Sequence, residues 1–407
     1  MDYWFAEQQA RLRHLPATKR YLYQTIGWTS RCLGILGARG TGKTTLMLQH
    51  INEHYPASEK ALYISLDHPR FQALSLYDFG KEFFAYGGRL LLLDEVHKFA
   101  GWAGHVKTLY DACPELQIVF SGSSILQMHD QNADLSRRAV IHYLHGMSFR
   151  EYLLLKHQQT FPVLSLNDIT ENHQAHTRKI CDRIKPLAHF INYLRIGYYP
   201  FFLEGEDVYG LKLTNVINQV LETDLPVAGG VDIRQIAKLK KLIAFLAVNV
   251  PSMVNIQKLS SMTEISRPKI YSYLERLHQA RLLNLVRQSG SGYKMLSKPD
   301  KIYLENPNLA HALSETVNPG TIRETFFLNQ IHNALMPHPA SPEIAVHTSD
   351  YGDFSIIVQD KAYVFEIGGK TKTGKQIRGI DNAYIAADGI ESGFGRKIPL
   401  WIFGFLY

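Results

Sequence analysis

The sequence predicts an α/β protein built around a parallel five-stranded sheet, and three observations predict it. Between residues 33 and 145 five short apolar runs recur: LGILG, ALYISLD, LLLLDE, QIVFSGS and AVIHYL. Each is apolar throughout rather than alternating, which suits a strand covered on both faces. The stretches between them carry the helical period, so strands and helices alternate as they do in a three-layer fold.

The first run leads into GARGTGKT, which fits G-x-x-x-x-G-K-T at Gly37, Gly42, Lys43 and Thr44. Strand, loop and then helix is the context that a phosphate-binding loop requires. Backbone N–H groups from Gly37, Ala38, Arg39, Gly40, Thr41 and Thr45 would cradle phosphates, and the helix N-terminus adds its dipole. Lys43 would then reach the β- and γ-phosphates of ATP, and Thr44 would ligate Mg²⁺.

The third run, LLLLDE, sets Asp94 where it would hold Mg²⁺ through water and Glu95 where it would orient or deprotonate the attacking water. The fourth ends in small polar residues, Ser121, Ser123 and Ser124, with Ser123 the candidate γ-phosphate contact. LSRRAVIHYL puts Arg137 and Arg138 before the fifth strand. An arginine there is placed to stabilise transition-state charge in a neighbouring subunit of a homo-oligomer. A solvated surface pair fits the same letters equally well.

A loop strand, an acidic strand, a polar strand and arginines before a fifth strand resemble an AAA+ ATPase domain. The wording LLLLDEVHKFAGWAGHVKTLYDACPELQIVFSGSSIL, with SFREYL and YLRIGYYPFFLEG downstream, is similar to prokaryotic AAA-family ATPases. The members it resembles carry a winged helix and a restriction-nuclease-like C-terminal domain. The resemblance covers most of the chain and implies that fold and an ATPase activity, with ATP and Mg²⁺ as cofactors. It divides the chain into an ATPase domain over 1–147, a helical lid over 148–232, a winged helix over 233–303 and a nuclease-like domain over 304–407.

The charge is concentrated in one place. Residues 234–301 hold thirteen Lys/Arg against three acidic residues, a local excess of +10 in a chain whose net charge is +7. Within that segment IQKLSSMTEISRPKIYSYLERLHQARLL reads as helix, turn, helix, with Ser266 as N-cap and Pro268 in the first turn. Ile270, Leu274 and Leu277 form its buried stripe, which leaves Arg267, Lys269, Ser272, Tyr273 and Arg276 largely off it. A basic hairpin follows around a Gly/Ser turn. Helix-turn-helix plus hairpin is a winged helix, and its second helix would enter a major groove of double-stranded DNA. A local cation excess is what phosphate neutralisation requires.

The C-terminal stretch reads as αβββαβ, ending in a strand PLWIFGF. Glu324 on the RETFFLNQI helix, Asp353 at the start of DFSIIV and Glu366 in YVFEIGG are the carboxylates of a nuclease-like site. The lysine that such sites carry two residues after the glutamate is replaced by Gly368, and a lysine comes only at Lys370. On an extended strand Lys370 would face the same side as Glu366 but roughly 6–7 Å further along. A helix carrying Lys375, Gln376 and Arg378 is expected next, giving a phosphate-binding surface whose chemistry is lost or weakened.

Composition narrows the alternatives. At 407 residues the chain suits two to four domains. Its apolar runs are too short to span a bilayer, and the start has no signal-peptide pattern. Three scattered cysteines without a CxxC pair suit a reducing cytoplasm and give no zinc signal. Three readings stand: a DNA-binding ATPase switch, an ATP-gated nuclease, and a signalling ATPase whose partner is a protein.

Overall fold

The computed structural model describes residues 1–122, 135, 137–227, 231–249, 252–253, 255–288, 299–335 and 344–407. The chain forms two compact units, Met1–His145 and Gly146–Tyr407.

In the first unit, strands β1 (Cys32–Leu36), β2 (Ala61–Ser65), β3 (Leu90–Asp94), β4 (Gln117–Gly122) and β5 (Val140–Tyr143) form one sheet. Its order is β2-β3-β4-β1-β5, and every pairing is parallel. The unbroken apolar runs are explained by two cores, one on each face. Leu33 and Ile35 of β1 join Leu90 and Leu92 of β3 on one side, with Leu46 and Met47 from the helix Lys43–His54. Cys32 and Leu36 join Leu91 and Leu93 on the other, under Phe79, Phe83, Trp102 and Leu109 from two further helices.

The N-terminal helix Asp2–Leu12 buries Trp4 and Gln8. Gln8 does the work of a strand: its Nε2 donates to Ala61 O at 3.3 Å, and its Oε1 accepts the Tyr63 N–H at 2.6 Å. It thereby pairs the open side of β2, one of the two edge strands of the sheet.

The second unit begins with helices, among them Phe149–His157, Leu166–Cys181, Pro186–Ile196 and Tyr209–Gln219. Phe149–His157 starts at a capping box in which the Ser148 side chain accepts the Glu151 N–H and Glu151 reaches back to the Ser148 N–H. Helix Ile236–Asn249, strand β6 (Ser252–Met253), helices Ile256–Thr263 and Arg267–Gln279, and strands β7 (Leu283–Gln288) and β8 (Lys301–Leu304) follow in order. β8 pairs antiparallel with both β6 and β7.

Helix Pro319–Leu335 then precedes β9 (Ile344–Thr348), β10 (Phe354–Val358), β11 (Lys361–Gly368), β12 (Ala383–Ala387) and β13 (Lys397–Pro399). β7 also pairs parallel with β9, at Arg287 with His347 and Gln288 with Thr348. The hairpin and the C-terminal strands therefore share one sheet of order β13-β12-β11-β10-β9-β7-β8-β6.

Two sequence expectations fail here. The helix expected after β11 is a series of turns, because Gly374, Gly379 and Asn382 all take positive φ, which a helix cannot accommodate. Ala383–Ala387, whose composition hides its character, is instead a fully buried strand parallel to β11. The expected terminal strand is a buried 3₁₀ helix, Leu400–Phe405, since an apolar run covered on all sides carries no period to distinguish the two.

Candidate nucleotide site and a carboxylate cleft

In the first unit the loop Gly37–Gly42 leaves β1 and enters the helix Lys43–His54 through Gly42, whose φ of 96° is left-handed. Gly37 has no room for a side chain, since a Cβ there would lie 2.2 Å from Leu144 O. Lys43 folds across the loop, its Nζ 3.0 Å from Gly37 O and 2.8 Å from Ala38 O. Arg20, buried and far off in sequence, donates to Thr41 O at 2.5 Å and to His145 O at 2.8 Å. It ties the loop to the end of β5, and nothing in its local sequence marks it.

Asp94, 2 % exposed, is the hub. Its Oδ2 accepts from Thr44 Oγ1 at 2.6 Å and from the Tyr63 hydroxyl at 2.8 Å. Its Oδ1 accepts from the Ser121 hydroxyl and from the Glu95 N–H at 3.1 Å. Burial, and then the Asp94 charge, raises the Tyr63 phenol well above its ordinary range, so it acts as a donor throughout the physiological pH span. Tyr63 has a β2 position that lines up beside Leu92 of β3. Sequence reasoning saw only an apolar strand residue there. Ser121 is the serine that touches the hub, while Ser123 and Ser124 lie outside the described residues.

Glu95 turns away from the strand in a left-handed conformation, φ 53°. Its Oε2 lies 3.3 Å from Nε2 of the buried His97 and 3.8 Å from Arg39 of the loop. The two arginines before β5 differ. Arg138 grips Asp111 with two hydrogen bonds of 3.1 and 3.0 Å, whereas Arg137 is exposed.

Residues 29–153 match the family model described as an AAA domain. The chain carries an AAA-type domain. Residues 187–319 match a second model, described as a domain of unknown function. An uncharacterized protein of Methanocaldococcus jannaschii is 29 % identical over 283 residues, 66 % of this chain and 59 % of that protein. The match thus spans under two thirds of that relative's length. An uncharacterized protein of Haemophilus influenzae is 25 % identical over 68 % of each chain. Among solved structures, AMPPCP-bound DnaA from Aquifex aeolicus aligns with TM-score 0.26 and 12 % identity, over 63 % of this chain and 84 % of that one. A DNA replication initiation factor aligns at 0.25 with 14 % identity, over 62 % and 79 %.

In the second unit the helix Arg267–Gln279 buries Ile270, Leu274 and Leu277 and exposes Arg267, Lys269 and Ser272, with Arg276 partly covered. Tyr273 does not belong with the exposed set: at 2 % exposure it is part of the core. On the helical wheel it lies beside Leu277, on the side away from Ile270 and Leu274, so the apolar stripe is wider than three residues suggest. Ser266 sits at the N-cap position, but its side chain makes no capping hydrogen bond. The hairpin turn, residues 289–298, lies outside the described residues.

The carboxylates of the C-terminal stretch also gather. Asp353 donates its N–H to Phe365 O at 2.9 Å and accepts the Ile367 N–H on Oδ2 at 2.6 Å, so it flanks Glu366 across the β10–β11 pair. Glu324 accepts from the Tyr303 hydroxyl at 2.7 Å, with Lys301 Nζ 4.0 Å away. Burial, and then the Asp353 charge, raises the Glu324 carboxyl above its ordinary value. Lys370, the expected lysine, is exposed and does not reach Glu366. Lys372 does, its Nζ 3.0 Å from Glu366 Oε1. The strand ends at Gly368, and the Lys372 N–H closes a turn on Gly369 O at 3.0 Å, so strand alternation no longer governs where lysines point. Among the described residues no three His, Cys, Asp or Glu side chains are grouped to hold a metal ion.

Proposed function

We propose that this chain is an ATP-binding, slowly hydrolysing AAA-type switch that binds double-stranded DNA through the helix Arg267–Gln279. The observation that carries the ATPase half is the Thr44–Asp94 hydrogen bond of 2.6 Å beneath a glycine loop that already presents Lys43. Thr44 and Asp94 fit a magnesium ion, since the hydroxyl and a carboxylate oxygen lie 2.6 Å apart, the first suited to ligate the ion and the second to hold it through water; bound with ATP, the ion would neutralise phosphate charge. Lys43 holds the phosphates, Glu95 orients the attacking water, and the exposed Arg137 serves a neighbouring subunit in a homo-oligomer. Arg138 is committed to Asp111 and has a structural part.

Lys43→Ala is expected to abolish measurable ATP turnover in a steady-state phosphate-release assay. Turnover equal to the wild type would remove the nucleotide from the reading.

The DNA half is supported by the local +10 excess together with Arg267 and Lys269 exposed on one helix. Anisotropy of a labelled duplex at several salt concentrations tests it. Binding should weaken steeply with salt, and the double variant Arg267→Ala/Lys269→Ala should reduce the log–log slope by about 2 without changing sequence preference. A duplex that neither binds nor speeds ATP turnover would favour a protein partner instead.

A further inference from the structure

Glu366 is 2 % exposed, and its carboxylate is only half engaged. Oε1 meets Lys372 at 3.0 Å, while Oε2 has no hydrogen-bond partner. A buried carboxylate in that state is costly unless a cation compensates it, and Lys372 is the compensating charge. The lysine reaches it because residue 368 is glycine. A Cβ at that position would lie 2.8 Å from both Cγ and Cδ of Lys372, so any larger residue would displace the lysine stem. The same ammonium also lowers the charge burden on Glu324, opposing the effect of Asp353. The other carboxylates are occupied, Asp353 with the Ile367 N–H and Glu324 with the Tyr303 hydroxyl.

We propose that Lys372 is a resident cation that takes the place of a divalent metal in this cleft, so that the second unit holds a phosphodiester backbone without hydrolysing it. An ammonium tied to Oε1 repels a dication at Oε2, and the two compete for one carboxylate. A single tethered monovalent charge supplies neither a lowered water pKa nor a clamp on attacking and leaving oxygens. The exposed Lys370, Lys375 and Arg378 on the following turns give the phosphate contacts. The backbone-holding half rests on the DNA reading above; the resident-cation half stands on the second unit alone.

The test is Mn²⁺ binding to the nucleotide-free full chain, with Asp94→Asn carried in every chain compared so that the first unit's own metal position is removed, read by electron paramagnetic resonance and by the Mn²⁺-induced rise in Tm. Lys372→Met is expected to bind Mn²⁺ at least about tenfold more tightly than the wild type. Lys372→Arg should stay at the wild-type level, and Lys372→Met/Glu366→Gln should lose the gain. Gly368→Ala, which pushes the lysine stem out of the cleft, should raise Mn²⁺ affinity with the lysine still present, and it decides the matter if Lys372→Met does not fold. Wild-type binding as tight as that of Lys372→Met would overturn the proposal. So would a folded Lys372→Met that gains nothing, or wild-type nicking of supercoiled plasmid in Mn²⁺ that Glu366→Gln abolishes. None of the binding outcomes involves nucleic acid, so they are independent of whether the helix Arg267–Gln279 binds DNA.

Discussion

Glu95→Gln is expected to leave ATP bound and to lower kcat by about 10²–10⁴-fold, the range a positioned general base contributes. The left-handed backbone at residue 95 swings this side chain off the strand axis, while Asp94 stays behind in its four-bond hub. Glutamine keeps the length and one oxygen, so Arg39 and His97 retain an acceptor, but it cannot take a proton from water. Nucleotide affinity and single-turnover hydrolysis, measured side by side, separate the two effects. Undiminished hydrolysis would mean that another group activates the water.

Arg20→Ala should destabilise the first unit by about 3 kcal/mol and raise KM for ATP. A hydrogen bond to a charged donor is worth roughly 1.5–3 kcal/mol. Here two carbonyls, of Thr41 and His145, lose their buried donor together. Arg39→Ala in the same loop, whose ion pair with Glu95 spans 3.8 Å, should cost under about 1 kcal/mol. Urea unfolding of the two variants makes the comparison. Equal losses would show that Arg20 does not hold the loop.

What the sequence could say followed from how local its causes are. The parallel sheet was legible because strands covered on both faces must be apolar throughout, and the loop was legible because phosphate binding fixes glycines, a lysine and a hydroxyl at short spacing. Tyr63 and Arg20 were not, since Tyr63 meets Asp94 from another strand and Arg20 meets the glycine loop and the segment after β5, and only the fold brings them near. Lys372 was missed for a different reason. Counting by twos assumes an extended chain, and the chain stops being extended at Gly368. Tyr273 was misplaced because three apolar residues understate the width of a buried helical face. β12 was hidden by alanine, whose helical preference yields to burial on both faces of a sheet.

The hydrogen bonds from Gln8 to Ala61 and Tyr63 have a consequence for how self-association is interpreted. A sheet margin with bare N–H and C=O groups recruits strands from other chains, and proteins commonly guard against this. Here the guard is one amide on one helix. A chain shortened beyond Leu12 would lose it and would expose β2 as a template for nonspecific stacking. Assemblies seen with such a truncated chain would then reflect an unprotected margin rather than the proposed meeting of subunits at Arg137, so the assembly state is properly measured on a chain that keeps its first helix.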